Sequence, residues 1–226
     1  MNFVKGLILM SKTKLNEKDF EWAAQQLNVE VAAIKAVDAV ESRGSGFYPD
    51  GQPTILFERH IFSDLTDHKY DKSHPDISNK IAGGYGSASG ENQHARLQKA
   101  VKLNAKVEKV TRVVNEKLQC KLVEEDVEVL VNRDPALMSA SWGRFQIMGF
   151  NYKKAGFKDL QSFINAMYTD EVEQLKAFVN FLKSTGLDKP LRAKNWAAFA
   201  KGYNGAGYAK NAYDVKLKQA YERFKK

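Results

Sequence analysis

The sequence has very little cysteine and histidine. Cys120 is its single cysteine among 226 residues, so an intrachain disulfide is impossible, which suits a reducing compartment. We interpret Cys120 as a small residue on a helix. The four histidines show neither the HExxH pattern nor paired ligand spacing. We therefore expect no metal site and no other cofactor.

Long hydrophobic runs are also missing. No stretch reaches the roughly 18 consecutive apolar residues that a membrane span needs. The apolar run at residues 6–10 (GLILM) is shorter than a signal-peptide core of roughly 7–15 residues, and no small-residue cleavage site follows it. We therefore expect a protein that is made in the cytoplasm without an export signal of its own.

Acidic residues are fewer than basic ones. The chain has 35 Lys and Arg against 27 Asp and Glu, for a net charge of +8. Basic proteins seek polyanions such as nucleic acid, anionic lipid or cell-wall polymers. The lysines are scattered, without an Arg-rich block, a zinc finger or an RNA-binding aromatic pattern, so we expect no nucleic-acid partner.

The apolar spacing of the chain is mostly helical. A turn signature at residues 49–51 (PDG) precedes the run 54–58 (TILFE), which predicts a short strand. Because we find no repeat or linker, we predict a single domain over residues 1–226, of the α+β class and predominantly α-helical. Helices are predicted at about 15–27, 30–43, 93–130, 159–166, 168–185, 193–201 and 210–224.

The second predicted helix ends on a carboxylate. Ile34, Val37 and Glu41 lie at i, i+3 and i+7, on one face of that helix. Burial raises the pKa of a glutamate, and a glutamate protonated near neutral pH is what general-acid catalysis on a glycosidic oxygen requires. On spacing alone, an ordinary surface glutamate that pairs with Arg43 is the simpler interpretation.

A second carboxylate, Glu58, comes at the end of the strand pattern. On an extended strand it shares a face with Thr54 and Leu56. There it either guards a sheet edge against aggregation or faces a site. Only a helix end and a turn separate it from Glu41, a separation short enough to bring both into one cleft. Glycoside hydrolases typically need such a carboxyl pair.

Two glycine-punctuated segments are candidates for ligand contact. Within SWGRFQIMGFN, residues 141–151, Gln146 offers both a donor and an acceptor. Within FAKGYNGAGY, residues 199–208, Tyr203 and Asn204 follow a predicted helix, and the glycines let a ligand approach the backbone. The simpler alternatives are a packed helix start in the first segment and a helix cap with a turn in the second.

In this order, the segments resemble the superfamily of goose-type lysozymes and lytic transglycosylases, which have Glu-Ser, Gly-Leu-Met-Gln-Ile and Tyr-Asn-x-Gly. More closely, AVESRGSGF, PTILFERH, GGYG and SASWGRFQIMGFN resemble the bacteriophage endolysin N-acetylmuramidases, over about residues 15–205. The resemblance implies a lysozyme-like fold with a small β-sheet or hairpin. It also implies cleavage of the β-1,4 bond between N-acetylmuramic acid and N-acetylglucosamine in peptidoglycan.

The resemblance also implies roles for individual residues. Glu41 stands at the position of the catalytic glutamate, and Glu58 at that of a second acidic residue implicated in catalysis. A lytic transglycosylase and a non-catalytic wall-binding protein are the two alternatives. The candidates for saccharide contacts are Tyr85, Gln146, Tyr203 and Asn204.

One segment departs from the family pattern. Residues of about 106–134 are longer than the family leads us to expect, and we interpret them as a helical insertion that acts as a lid, a wall-binding element or a neutral extension. We see no appended wall-binding module and expect a monomer. Because no export signal is found, we expect release to the wall through a holin.

The last predicted helix is amphipathic and basic. Tyr213, Leu217, Ala220 and Phe224 form one apolar stripe. The bland interpretation is that this stripe packs on the core and that the lysines are a solvated face. The sharper one is that the positive end contacts anionic lipid at the outer membrane of Gram-negative cells. The basic side chains are Lys210, Lys216, Lys218, Arg223, Lys225 and Lys226.

Overall fold

The computed structural model describes residues 12–42, 44–85, 93–116 and 119–225, without the side chains of 112–116 and 119–123. The chain divides into two compact units. We call residues 1–56 with 141–226 the discontinuous unit, and residues 57–140 the continuous unit. The single-domain organisation stays a prediction. Across the described ranges, no helix is long and apolar enough to cross a membrane.

The discontinuous unit is mainly helical. Its longest helix, α7, buries Leu175, Phe178 and Leu182, and α10 packs against α2 and α9. All three tryptophans belong to this unit: Trp142 and Trp196 are buried, and Trp22 is partly exposed. The helices are α1 (Glu17–Leu27), α2 (Val31–Glu41), α6 (Leu160–Thr169), α7 (Glu171–Thr185), α8 (Asp188–Arg192), α9 (Trp196–Asn204) and α10 (Tyr213–Phe224).

Aspartate and asparagine side chains fix where several of these helices begin. Asn16 caps α1 in a reciprocal capping box with Asp19, as its position ahead of an apolar period predicts. Asp159 caps α6 and Asp170 caps α7 by accepting main-chain hydrogen bonds. Polar caps of this kind satisfy the free N–H groups of a first turn.

Three short strands form a small sheet. Its strands are β1 (Ile55–Phe57), β4 (Ala140–Trp142) and β5 (Ile147–Met148), in the order β1-β4-β5. Strands β4 and β5 are antiparallel. The predicted strand is confirmed but ends before Glu58, which is the residue preceding helix α3 (Arg59–Leu65). Placing Glu58 on the strand face was therefore wrong.

The continuous unit contains α3, α4 (Gln93–Lys102) and α5 (Arg133–Met138). Its core gathers large side chains from these helices and the loops between them. Phe62 stacks on Tyr70 with ring centroids 6.1 Å apart, and Tyr70 bonds Asn132, which anchors the segment before α5. Ile77, Leu97 and Ala136 are also buried.

The predicted helical insertion at about 106–134 is wrong, because most of it is an antiparallel hairpin. Strands β2 (Lys106–Glu116) and β3 (Gln119–Val129) pair from Lys106 with Val129 to Glu116 with Gln119. Valine is frequent in both strands, and its branched side chain favours extended backbone over helix. The helix predicted at 93–130 therefore ends at Lys102. Cys120 accordingly lies on a strand instead of a helix. Whether the hairpin lengthens the family fold stays a prediction.

Candidate active site

Glu41 is the last residue of α2, on the apolar helix that the sequence predicted. Burial raises the pKa of its carboxyl above the usual range, and a hydrogen bond from Asn204 offsets part of that rise. The bond joins Asn204 Nδ2 to Glu41 Oε1 at 2.9 Å. The other amide atom, Asn204 Oδ1, is buried and has no hydrogen-bond partner among the described residues. A buried acceptor is thus available beside the glutamate.

The charge of Glu41 also affects the pKa of two tyrosine side chains. Burial, and then the charge of Glu41, raises the pKa of Tyr203 and of Tyr213. The Tyr203 hydroxyl donates to the main-chain oxygen of Phe145 at 2.6 Å. Tyr203 and Asn204 lie within the last turn of α9, so the prediction that they follow the helix was wrong by a few residues.

Gln146 is bonded to the protein itself. Its Nε2 donates to Gly143 O at 2.8 Å, and its Oε1 accepts from Ser141 Oγ at 2.8 Å. The backbone at Gln146 has a φ of 49°, a left-handed conformation that is uncommon outside glycine. The amide therefore fixes the turn between β4 and β5, and its predicted contact with a saccharide stays a prediction.

A buried ionic cluster, which the sequence analysis missed, bonds to residues before and after Glu41 in the chain. The Arg144 guanidinium bonds both carboxylate oxygens of Asp38 and, at 3.0 Å, Glu171 Oε2. Burial opposes the charge of Arg144, but the two carboxylates outweigh it and raise the pKa of the guanidinium. Glu171 is buried at the first position of α7, and no pattern in the sequence indicates that burial.

Glu58 lies in the continuous unit, and two side chains lie close to its carboxylate. The Tyr85 hydroxyl donates to Glu58 Oε2 at 2.8 Å, and His60 Nδ1 is 3.3 Å from the same oxygen. Burial, followed by the hydrogen bond to Glu58 and its charge, raises the pKa of Tyr85 to about 12. The sequence analysis missed His60, which the motif Glu-Arg-His places two residues after Glu58.

Two arginines hold the loop that carries Tyr85. Arg59 donates to the main-chain oxygens of Ile81 and Pro75, and Arg96 to that of Gly84 at 2.9 Å. A Cβ at Gly84 would lie 2.6 Å from the Arg59 guanidinium carbon, and its φ is +70°. Glycine is therefore required where the loop passes this side chain.

The structure thus groups the predicted residues into two sets, one in each unit. Glu41 and Asn204 are in direct contact, and Tyr203 lies near Glu41. Glu58 and Tyr85 are in direct contact. Among the described residues, no three His, Cys, Asp or Glu side chains gather in a way that could hold a metal ion.

Comparison with known proteins identifies the class to which this site belongs. The family description N-acetylmuramidase matches residues 30–112 and 116–225, so the chain belongs to the N-acetylmuramidase family. Its members are glycoside hydrolases that act on peptidoglycan. The predicted resemblance and the lysozyme-like α+β fold are both confirmed.

One similar solved structure is that of the Burkholderia AP3 phage endolysin. The two chains are 38% identical with a TM-score of 0.71, and the match covers 94% of this chain and 71% of the endolysin. No curated protein matches this chain.

Proposed function

We propose that Glu41 is the proton donor with which this endolysin, a peptidoglycan hydrolase, hydrolyses the β-1,4 bond between N-acetylmuramic acid and N-acetylglucosamine. The observation that carries the role of Glu41 is its partial burial at the end of α2, beside Asn204, which raises its pKa. A carboxyl group that keeps its proton towards neutral pH can protonate the leaving glycosidic oxygen as the bond to the sugar carbon breaks.

Glu58 is the second carboxylate of the proposed reaction. Its role is to position or activate the water that attacks the sugar carbon, as the second carboxylate does in many glycosidases. The Tyr85 hydroxyl supports this role because it orients the carboxylate. The main chain at Glu58 is fixed as well, since its N–H donates to Ser139 O at 2.9 Å.

The proposed saccharide contacts differ in whether their polar atoms already have a hydrogen-bond partner in the protein. Asn204 keeps the buried acceptor Oδ1, which suits an N–H or O–H group of the sugar. Gln146 and Tyr203 are bonded to main-chain oxygens of the protein, so we propose that they line and shape the saccharide site. Tyr85 has two proposed roles, because it contacts the sugar and also bonds to Glu58.

Mass spectrometry of muropeptides released from purified peptidoglycan tests the reaction. We expect products that have gained one water at the cleaved bond and that disappear with the Glu41→Gln variant. Anhydro products, lighter by one water, would instead identify a lytic transglycosylase. A turbidity assay on the same material separates the enzyme from a non-catalytic wall-binding protein, which would leave turbidity unchanged.

The last helix supports a finer proposal, contact with anionic lipid. Leu217 and Ala220 of the predicted stripe are buried, but Phe224 is 38% exposed, and Tyr221 is buried in its place. The stripe therefore packs on the protein, as the bland interpretation holds. The basic side chains of Lys218, Arg223 and Lys225 remain exposed and are available to an anionic surface.

Two sets of four substitutions separate these interpretations. The first replaces Lys218, Arg223, Lys225 and Lys226 by glutamine and leaves the buried stripe intact. The second, a charge-matched control, replaces four exposed lysines elsewhere, Lys72, Lys80, Lys154 and Lys158. Contact with lipid requires that only the first set protects intact Gram-negative cells, while activity on purified peptidoglycan changes far less. Equal effects of the two sets would leave only a general contribution of charge.

Three further features of the proposal concern how the enzyme reaches its substrate. It acts on the cell wall, after release from the host cytoplasm through a holin, and it acts as a monomer. Size-exclusion chromatography with light scattering checks the monomer. Lysis by expression in a bacterium with and without a co-expressed holin checks the route.

A further inference from the structure

The chain on both sides of Glu41 is tied to one side chain, that of Arg144. On the N-terminal side, Arg144 bonds both oxygens of Asp38, one helical turn before Glu41. On the C-terminal side, Arg144 Nη1 donates to the main-chain oxygen of Gly44 at 3.2 Å. The guanidinium therefore joins the last turn of α2 to the segment that leaves it.

Glu171 extends the same connection. It accepts from Arg144 through Oε2 and from the main-chain N–H of Gly46 through Oε1, at 2.7 Å. Its side chain is 1% exposed, and those of Arg144 and Asp38 are both 11% exposed. Bonds to charged groups are strong and directional when they are shielded from water. The segment after Glu41 is therefore held at two places.

Arg144 is itself held in place by its main chain. Its N–H donates to Gln174 Oε1 at 2.7 Å, and a Cβ at the preceding Gly143 would lie 2.6 Å from the Gln174 side chain. Arg144 is also two residues from Gln146, whose amide fixes the same turn. The guanidinium thus projects from a rigid base.

We propose that Arg144, through Asp38 and Glu171, is a positioning residue that fixes the backbone of Glu41 so that its carboxyl is aligned for proton donation. The inference rests on the proposed role of Glu41. Asn204 holds the carboxyl end of the same side chain, so Glu41 is fixed at its backbone and at its tip. A displacement of about 1 Å at a catalytic group lowers a rate by about a hundredfold.

The alternative is that the cluster only stabilises the fold, as buried ion pairs with good partners do when one of them is removed. The two interpretations differ in what else changes. Loss of stability lowers the fraction of folded enzyme, whereas loss of positioning lowers kcat of the folded enzyme and leaves substrate binding intact.

The test compares two variants of the cluster with a control that is destabilised elsewhere in the same unit. Arg144→Lys keeps the charge but loses the planar fork that bonds two carboxylates and a carbonyl. Asp38→Asn keeps the shape and loses the charge, and it serves if Arg144→Lys does not fold. The control is Asp159→Ala, which removes the cap of α6. Glu41→Gln is the reference for the proposed chemistry.

Kinetics on soluble glycan strands are measured below the unfolding temperature of every variant. We expect kcat of Arg144→Lys and Asp38→Asn to fall about ten- to a hundredfold, with KM changed by less than about twofold. For Asp159→Ala we expect a lower unfolding temperature and an unchanged kcat. Amide hydrogen exchange at Ser42, Gly44 and Gly46 should become faster in the two cluster variants only.

Three outcomes overturn the proposal. An unchanged kcat in both cluster variants leaves the cluster as a stabiliser of the fold. A rise in KM at constant kcat means that Arg144 serves the substrate instead of Glu41. Exchange at the three amides that stays as in the wild type means that the backbone was not released. Wild-type activity of Glu41→Gln, by contrast, would contradict the proposed function itself.

Discussion

Glu41 and Glu58 are both glutamates, but their environments differ. Glu41 is partly buried at the end of a helix, with one amide donor from Asn204, and its pKa is raised. Glu58 immediately precedes a helix, with a hydroxyl donor from Tyr85 and an imidazole 3.3 Å away. Environments that differ in this way let two carboxyl groups divide acid and base work between them. The comparison supports our proposal that Glu41 is the proton donor.

Glu41→Gln is the change with the largest expected effect. The amide keeps the shape of the side chain and its contact with Asn204 but has no acidic proton to transfer. General-acid catalysis contributes on the order of 10²–10⁴ in rate, and we expect at least that loss in a turbidity assay. A variant with an unchanged circular dichroism spectrum and a tenth or more of the activity would contradict the assignment.

Glu58→Ala is expected to abolish most lysis while the protein still sediments with peptidoglycan. The reason is that a group that positions water is needed for turnover more than for binding. We expect a loss on the order of 10² in rate. Asp64→Ala, an exposed carboxylate on the same helix α3, is the matched control. A Glu58 variant that is inactive only because it is unfolded or insoluble would return Glu58 to a purely structural role.

Tyr85→Phe removes only the hydroxyl that donates to Glu58. A hydrogen bond to a charged group contributes about 1.5–3 kcal/mol, so we expect kcat to fall roughly ten- to a hundredfold. Tyr152→Phe in the other unit is the control and should retain the wild-type rate. An increase in KM without a change in kcat would instead favour a sugar contact as the main role of Tyr85.

Asn204→Ala has the smallest expected effect and concerns pH. The hydrogen bond from Asn204 lowers the pKa of Glu41, against the larger effect of burial. Its removal should raise that pKa, so the alkaline limb of the pH profile of kcat/KM should move to higher pH. Asn211→Ala, an exposed asparagine, should leave the limb in place. A limb that stays or moves to lower pH in Asn204→Ala would mean that Glu41 does not set it.

Much of the candidate site was predictable because its residues are local to strong patterns. The apolar period of α2 and the Glu-Ser pair placed Glu41 at a helix end, where the structure has it. The Tyr-Asn motif singled out Asn204, whose bond to Glu41 spans 163 residues of sequence. The family resemblance assigned a catalytic role to Glu41 and a saccharide contact to Asn204, but it did not predict the bond between them.

The hairpin was not predicted because its composition suits two structures. Lys and Glu favour helix and Val favours strand, and segments such as Val107–Val110 mix the three. The exposed fraction of Val107 is 70%, so burial did not impose the alternating pattern that identifies most strands. What decides the structure is pairing between two segments, a non-local interaction.

The Arg144 cluster was also beyond sequence reasoning. Asp38 is 106 residues from Arg144, and Glu171 is 27 residues away. From the sequence alone, these charged residues are expected at the surface, because Asp, Glu and Arg are almost never fully buried unless they are paired. Only the fold shows that they are paired.

The location of the three tryptophans has a consequence for how unfolding is followed. Because Trp22, Trp142 and Trp196 all belong to the discontinuous unit, indole fluorescence reports on that unit, whereas far-ultraviolet circular dichroism reports on both. A denaturant titration monitored by both signals therefore asks whether the protein is one cooperative domain. Coincident midpoints would support the single domain, and separated midpoints would reveal two folding units that share one chain.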